Sequence, residues 1–417
     1  MRILFLSAAL PMVWGSEIRA FRFLEYLAKA HEVDLVSFHS WPGPRPPRGV
    51  QPALLADLRA RCREVALVAL PGPEVWSNCL RNTISEEPFQ VASCRSASMR
   101  QVVGERLTSG RYDLVWVNGL PMTQYAASSS APMVLDAGSC SSRRYHRLSL
   151  LPQHLPRRTF YHGEAARTLA YEARLLPMFS RCLVSSARDR EDLWQIAPRA
   201  AIQVLPNTLE LARLPALPGP KEDAAGGAHR RLRLAFVGDM YGAAHQDAAQ
   251  YFCRRILPRV RRVEPRAEAL VIGPGQRRFL RALAGTPGVA VTGPVPDLHR
   301  PLAEAIAVVS PLRADAGFPV SVVEAMACGK PVVASPIVVD GLGLHPNDPV
   351  LVAGSAREFA AHAAALLQHA HVAESLGGRG RQLVLERFDM GTVAERLDDI
   401  LAHLVPPRRV RLTASGE

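Results

Sequence analysis

The first forty residues alternate between apolar runs and an amphipathic segment in a way that few folds allow. Ile3–Ser7 is a short apolar run, and the loop Ala8–Gly15 follows it. Ser16 can cap a helix whose apolar residues recur every three to four positions, and Val33–Phe38 is a second apolar run. This pattern predicts a strand–helix–strand unit, and such units join into parallel sheets with right-handed crossovers.

Similar units recur along the rest of the chain. A length of 417 residues exceeds what one hydrophobic core usually serves, and Leu214–Ala228 is rich in Pro, Ala and Gly, as linkers are. We therefore predict an α/β protein with two Rossmann-like, doubly wound parallel-sheet domains that face each other across a cleft. The predicted parts are a first domain over 1–213, a linker over 214–231, a second domain over 232–388, a helix over 389–404 that packs back toward the first domain, and a loose tail over 405–417.

The charge of the chain favours anionic partners. The formal net charge is +12, and the arginines are scattered in short clusters. Nucleoside diphosphates, nucleic acid and an acidic membrane face all fit such an excess. No compact nucleic-acid motif is present, so we expect no specific nucleic-acid partner. A compositional preference for Arg explains the same charge equally well.

The cysteines and the amino-terminal run bear on location. The seven cysteines are dispersed, and none are spaced as C-x-x-C, which indicates a reducing compartment and no structural zinc site. Arg2 and the apolar run Ile3–Leu10 resemble a short signal peptide, but a buried strand explains them better because Ser16 begins a helix. We expect a cytoplasmic protein and no bound metal, and peripheral contact at the inner membrane face remains open.

The segment Pro311–Ser335 is the most informative part of the chain. It reads as a strand end, a loop with Gly317, and a helix whose only acidic residue is Glu324 among small and apolar neighbours. A helix start that faces a cleft suits a diphosphate, and a carboxylate can accept hydrogen bonds from a ribose diol. On local chemistry alone, a solvent-facing helix glutamate is the slightly better explanation.

This segment resembles the donor-binding signature of a known family. Gly317-Phe-Pro319 and the run Glu324-Ala-Met-Ala-Cys-Gly-Lys-Pro-Val-Val are similar to the signature of retaining GT-B-fold glycosyltransferases, the large glycogen-synthase-like group 1 family of the family 4 type. The resemblance implies hexosyltransferase-like transfer from a UDP-, GDP- or dTDP-sugar to an acceptor, with retention of configuration and without a metal or a further cofactor.

The resemblance extends over most of the chain. It includes the loop at Gly15 and Ser16, Val204–Asn207, Val237–Asp239, Val271–Gly275 and Val291–Asp297. The donor-binding residues that it implies are Gly15, Ser16, Gly238, Gly273, Val295, Asp315, Ala316, Gly317, Phe318, Pro319, Val320 and Glu324.

The sequence also departs from the family pattern. Ala316, next to Asp315, stands where members usually carry a Glu that contacts the sugar, and the basic residues that usually follow the glycine matching Gly238 are missing. Some members have Pro-Leu-Arg before the loop, so Arg313 is the candidate clamp for the diphosphate. Asp136 lies near the position of a frequently catalytic His, and we assign both Arg313 and Asp136 to the catalytic set.

Three alternatives remain open at this point. A sugar-nucleotide epimerase shares the two-domain fold, a scaffold with a catalytically weak donor site fits the Ala316 departure, and a nicotinamide-dependent dehydrogenase lacks its G-x-G-x-x-G after the first strand. For a transferase, the acceptor would be a glycan, a lipid-linked glycan or a small natural product. Peripheral contact with an anionic membrane would suit the lipid-linked case.

Overall fold

The computed structural model describes residues 1–12, 17–39, 52–109, 112–127, 129–208, 214–217, 232–314, 318–345 and 347–405. Most of the predicted linker, 218–231, and nearly all of the predicted tail, 406–417, lie outside the described residues.

The first half of the chain alternates strands and helices, as its opening unit predicts. Its strands are β1 (Arg2–Ser7), β2 (Glu32–Phe38), β3 (Glu64–Val68), β4 (Leu114–Asn118), β5 (Met133–Gly138), β6 (Arg181–Val184) and β7 (Ile202–Val204). Its helices are α1 (Ile18–Ala30), α2 (Pro52–Arg61), α3 (Gly72–Arg81), α4 (Phe89–Ala92), α5 (Ala97–Thr108), α6 (Thr123–Ala126), α7 (Ser141–Ser149), α8 (Leu155–Leu175) and α9 (Ala187–Ile196).

The second half repeats the alternation. Its strands are β8 (Leu232–Val237), β9 (Ala267–Ile272), β10 (Val289–Gly293), β11 (Ala307–Ser310), β12 (Val332–Ala334) and β13 (Leu351–Val352). Its helices are α10 (Ala243–Tyr251), α11 (Leu257–Val263), α12 (Arg277–Ala284), α13 (His299–Ala303), α14 (Val320–Ala327), α15 (Pro336–Leu342), α16 (Ala356–Gln368), α17 (Ala370–Phe388) and α18 (Met390–Leu404).

The strands form two parallel sheets, so the predicted fold class is confirmed. The first sheet has the order β3-β2-β1-β4-β5-β6-β7, and the second has the order β10-β9-β8-β11-β12-β13. Each order reverses once, between β1 and β4 in the first sheet and between β8 and β11 in the second. Open α/β sheets bind ligands at the carboxyl ends of their strands beside such a reversal.

Some helices were not evident from the sequence pattern, and α7 shows why. Its buried positions recur with helical spacing, but three of the five are serines, and only Tyr145 and Leu148 are large apolar residues. The carboxylate of Glu172, on α8, accepts hydrogen bonds from the backbone N–H of Ser141 at 2.8 Å and of Ser142 at 3.3 Å. A carboxylate about thirty positions away therefore caps this helix, and no local signal marks its start.

The spacing of Phe252, Ile256 and Val260 predicts one helix over Asp247–Val263, and the structure builds this segment differently. It consists of α10 and α11 with a turn of π-helix, Phe252–Ile256, between them. The inserted turn buries Phe252, Cys253 and Ile256. Single π-turns within α-helices are frequent at functional sites.

The last helix, α18, packs on the first domain. Val393, Leu397, Ile400 and Leu401 lie in one apolar cluster with side chains of β1 and α1. The hydroxyl of Tyr26 donates to Asp398 at 2.7 Å. The chain therefore crosses between the domains twice. No helix among the described residues is both long enough and apolar enough to cross a bilayer.

Candidate active site

Four of the expected site residues lie at one edge of the second sheet. Gly238, Gly273, Val295 and Arg313 follow β8, β9, β10 and β11, and all of these strands are parallel. Their carboxyl ends therefore share one edge, and β8 and β11 border the reversal of strand order. The site expected from sequence coincides with the place where this topology favours a ligand.

Two glycines let the backbone loops at this edge approach each other closely. A Cβ at Gly273 would lie 2.0 Å from the carbonyl oxygen of Gly238, and Gly273 has a φ of +131°. A Cβ at Gly238 would lie 2.6 Å from the ring of His245. A side chain at either position would therefore force its neighbours to move, and the two glycines allow the loops after β8 and β9 to pack against each other.

Arg313 is held in place by two residues of the helix that follows β8. Its Nε and Nη2 atoms donate to the two carboxylate oxygens of Asp247, at 2.9 and 2.5 Å. The guanidinium also lies over the ring of Tyr251, 4.6 Å from its centroid. The hydrogen bond that Arg313 donates to Asp247 is the main cause that raises the pKa of Arg313. The cation is therefore oriented, and it is still partly exposed at 39%.

Glu324 lies on α14, between β11 and β12. The residue is half-buried among small and apolar neighbours of the helix. Burial raises the pKa of its carboxyl group from 4.5 to about 7, and no hydrogen-bond or ion-pair partner accompanies it within the described part of the chain. A desolvated carboxyl group without a partner is a candidate for ligand contact.

The residues before Glu324 form the start of α14. Pro319 precedes the helix, and Val320 is its first residue. The ring of Phe318 meets the ring of Phe388 edge-on, with centroids 5.0 Å apart. Five further expected site residues lie outside the described residues, namely Gly15, Ser16, Asp315, Ala316 and Gly317.

The structure places Asp136 in the interior of the first domain. It is 2% exposed, and both of its carboxylate oxygens accept from Nε of Arg19, at 2.8 and 2.9 Å. Nη1 of Arg19 donates to the carbonyl of Leu205 and to the side chain of Asn207. Burial is the main cause that raises the pKa of Asp136. Its catalytic role stays a prediction, and this placement fits a partner of Arg19 better than a group that meets an acceptor.

Contacts across the cleft bring the carboxyl edges of the two sheets together. Helix α9 begins after the carboxyl end of β6 and contacts α15, which begins after the carboxyl end of β12. Ile18, Tyr145 and Leu148 of the first domain belong to the apolar cluster of the second domain. At the reversal in the first sheet, Asn118 donates to Ser7 at 3.1 Å. A ligand at Arg313 would therefore lie between two sheet edges.

Sequence reasoning missed three side chains of these networks. Asp247 and Tyr251, which contact Arg313, lie more than sixty positions before it in the sequence, and Arg19 lies more than a hundred positions before its partner Asp136. Nothing local marks these residues, because their partners are set by the order of strands. Within the described residues, no three His, Cys, Asp or Glu side chains come together in a way that could hold a metal ion.

A family model described as "Glycosyl transferases group 1" matches residues 231–369. The matched segment makes up most of the second domain, and it contains Gly238, Gly273, Arg313 and Glu324. The crevice at the carboxyl edge of the second sheet therefore lies in the part of the chain that is similar to this family. No curated protein sequence matches the chain.

Solved structures match nearly the whole chain and show that the fold is GT-B. HepE of Anabaena, solved in complex with UDP and glucose, is 16% identical, with 97% of this chain and 100% of that chain covered and a TM-score of 0.65. Sucrose-phosphate synthase of Thermosynechococcus elongatus is 16% identical, with 97% and 98% covered and a TM-score of 0.69. WaaG, a glycosyltransferase of lipopolysaccharide biosynthesis, is 15% identical, with 95% and 99% covered and a TM-score of 0.60.

Proposed function

We propose that this protein transfers a sugar from a nucleoside diphosphate sugar to an acceptor hydroxyl, and that its second domain binds the donor. The observation that carries the proposal is the carboxyl group of Glu324, which is desolvated and has no partner among the described residues. A ribose diol supplies two hydroxyl donors that such a carboxylate can accept.

Arg313 supplies the charge that a diphosphate needs. Two of its five N–H groups are used by Asp247, and three remain for a ligand. A guanidinium can pair with two phosphate oxygens at once, and its orientation by Asp247 and Tyr251 lowers the entropy lost on binding. Arg313 would thus stabilise the negative charge that develops on the leaving diphosphate.

The proposed reaction needs few side chains. The acceptor oxygen attacks the anomeric carbon on the face from which the diphosphate departs, the bond from that carbon to the phosphate oxygen breaks, and the leaving phosphate takes the acceptor proton. Configuration is then retained, and no metal is required. Positioning and electrostatic stabilisation supply the rate. Retention and metal independence are proposed from the family resemblance. The stereochemistry of the product tests retention, and sugar transfer in the presence of EDTA tests metal independence.

The proposed donor is a nucleoside diphosphate sugar, and the proposed acceptor is a glycan. UDP-sugars are the first donors to test because HepE was solved with UDP, and GDP- and dTDP-sugars follow. The acceptor is proposed to be a glycan, with a lipid-linked glycan at the inner face of a membrane ahead of a small natural product. A cytoplasmic location is part of the same proposal.

A thermal-shift panel of nucleotides and nucleotide sugars tests donor binding. A ligand at a hundred times its dissociation constant adds about 2.7 kcal/mol of stability, which raises the melting temperature measurably. We expect one nucleoside diphosphate to raise it in the wild type and to do so much less in Glu324→Ala. If no nucleoside diphosphate raises it, donor binding is wrong, and if Glu324→Ala responds like the wild type, the ribose contact is wrong.

A further inference from the structure

The helical hairpin formed by α7 and α8 has an unusual charge pattern. The sequence contains no Asp or Glu between Asp136 and Glu164, although it contains five Arg and three His there. These basic residues are Arg143, Arg144, His146, Arg147, His154, Arg157, Arg158 and His162. Residues 137–163, which include α7, the turn and the start of α8, therefore carry positive charge and no acidic residue, and the acidic residues of α8 begin only at Glu164.

Ion pairs with neighbouring elements neutralise only one part of this hairpin. Arg147 of α7 pairs with Asp192 of α9 at 2.8 Å. Arg157 and Arg158, in the first turn of α8, are exposed, and neither pairs with a carboxylate among the described residues. Arg157 instead lies over the ring of Tyr161, 5.7 Å from its centroid. Arg157 and Arg158 therefore present two positive charges without a carboxylate partner at the start of α8.

Large apolar side chains are exposed beside these two arginines. Leu150 is 65% exposed and Leu155 is 73% exposed, on either side of the turn between the helices. Phe160, in the second turn of α8, is 44% exposed. The ring of Phe160 also meets the ring of Phe89 edge-on, with centroids 5.8 Å apart, so Phe160 forms the inner border of this patch. Single exposed apolar residues are common, but three of them close in sequence to two arginines without carboxylate partners indicate an interaction surface.

We propose that this hairpin tip, defined as Leu150, Leu155, Arg157, Arg158 and Phe160, docks on an anionic lipid surface. The apolar side chains would enter the boundary between headgroups and acyl chains, and the arginines would meet the lipid phosphates. Apolar burial and electrostatic attraction to anionic lipids act together in such peripheral docking.

The location of the hairpin links this surface to the cleft. Tyr145, Leu148 and Leu151 of the same hairpin are buried in the apolar cluster shared with the second domain. A docked tip would therefore hold the cleft beside the bilayer, where a lipid-linked acceptor is presented. That last step rests on the proposed function, whereas docking itself does not.

Co-sedimentation of the full chain with vesicles tests the charged half of the tip. We expect binding to phosphatidylcholine vesicles that contain phosphatidylglycerol, weaker binding in high salt, and little binding to pure phosphatidylcholine. Arg157→Glu with Arg158→Glu should weaken binding at least tenfold. The matched control is Arg277→Glu with Arg278→Glu, an exposed pair at the start of α12 that changes the net charge equally.

The apolar half is tested by Leu150→Ser with Leu155→Ser, against Met178→Ser with Val263→Ser, whose side chains are 51% and 58% exposed. The first pair should weaken binding even in high salt, and the control pair should not. Single Arg158→Gln and Leu155→Ser variants serve if a double variant fails to fold.

Absent binding to phosphatidylglycerol vesicles, or equal losses of binding in the tip and control pairs, would overturn the proposal. The nucleotide-induced thermal shift should persist in every tip variant, so failure of docking and failure of donor binding are distinguishable.

Discussion

Arg313 and Asp247 form a two-point ion pair at the carboxyl edge of the second sheet, with N–O distances of 2.9 and 2.5 Å. The pair joins the loop after β11 to the helix after β8, the two strands that border the reversal of strand order. It fixes one side of the guanidinium and leaves the Nη1 side for a ligand. A diphosphate that enters this crevice would meet a cation that is already oriented.

Replacing this cation should weaken diphosphate binding selectively. We expect Arg313→Ala to lower the affinity for UDP roughly 10- to 100-fold, because hydrogen bonds to charged groups contribute about 1.5–3 kcal/mol. The affinity for uridine should hardly change, and isothermal titration calorimetry measures both. Arg233→Ala is the control, since Arg233 pairs with Glu268 at the amino-terminal end of β8. Equal losses for UDP and uridine would contradict a phosphate contact.

The pH dependence of nucleotide binding should report on Glu324. Burial raises the pKa of its carboxyl group to about 7, whereas ribose hydroxyls bind the ionised form better. Affinity should therefore rise by roughly tenfold between pH 6 and pH 8. In Glu324→Gln, the affinity for the nucleotide should vary with pH only through the titration of the nucleotide's own phosphate groups. Glu172→Gln is the control, because burial also raises the pKa of Glu172 to about 7 and this residue caps α7. A pH profile unchanged in Glu324→Gln would contradict the ribose contact.

The same shift in the pKa of Glu324 predicts a pH dependence of stability. Between pH 4.5 and about 7 the folded protein keeps a proton that the unfolded chain has released. The free energy of unfolding should therefore fall as the pH rises through this window. Urea titrations should show a smaller fall in Glu324→Gln, and a larger fall in that variant would show that the carboxyl group is not protonated in the folded state.

Gly273 should tolerate no side chain. Gly273→Ala would place a Cβ 2.0 Å from the carbonyl oxygen of Gly238 at a φ of +131°, and we expect a loss of about 3 kcal/mol or more. Gly293→Ala is the control, because Gly293 has a φ of +69° but nothing within 4 Å of its Cβ. It should lose only about 1–2 kcal/mol, the cost of a left-handed backbone. Equal midpoints of urea unfolding would contradict the clash.

Removing Arg19 should destabilise the first domain strongly. Arg19→Met leaves the buried Asp136 without a cation, which typically costs about 3–5 kcal/mol. Arg63→Met should cost less, because Asp34 keeps Arg2 and the hydroxyl of Tyr112. Urea unfolding compares the two, and an equal loss would contradict the dependence of Asp136 on Arg19.

The double variant Arg19→Met with Asp136→Leu should recover part of the loss, since apolar pairs often replace buried ion pairs well. The recovered variant then tests the catalytic prediction for Asp136. Sugar transfer that persists in it would rule out an essential catalytic role, and transfer that disappears while nucleotide binding persists would support one.

The sequence could predict what is encoded within one segment. The alternation of apolar runs predicted both parallel sheets, and the glycines after β8 and β9 and the isolated acid at Glu324 were visible as local patterns. The structure places Arg313 beside the reversal of strand order, and its role as the diphosphate clamp stays a prediction. Its partner Asp247 could not be predicted. Contacts of this kind depend on which strands become neighbours in the sheet, and the order of strands cannot be derived from local patterns in one sequence.

The same limit applies inside the first domain. Asp136 was assigned to the catalytic set because it lies near the position of a frequently catalytic His in the family pattern. In the structure it lies within β5, where it is buried against Arg19 and next to the bulge between Asp136 and Gly138. The start of α7 depends on Glu172, and the π-turn at Phe252–Ile256 depends on packing along a helix. In each case the decisive partner lies far away along the chain.

Helix α18 has a consequence for how the chain matures. Val393, Leu397, Ile400 and Leu401 complete an apolar cluster whose other buried members all come from the first domain. During synthesis, the first domain emerges long before the helix that covers it, so this surface must stay open to water or to a chaperone until the second domain has been made. The first domain can reach its full stability only when translation has passed residue 401, so the two halves are expected to mature together.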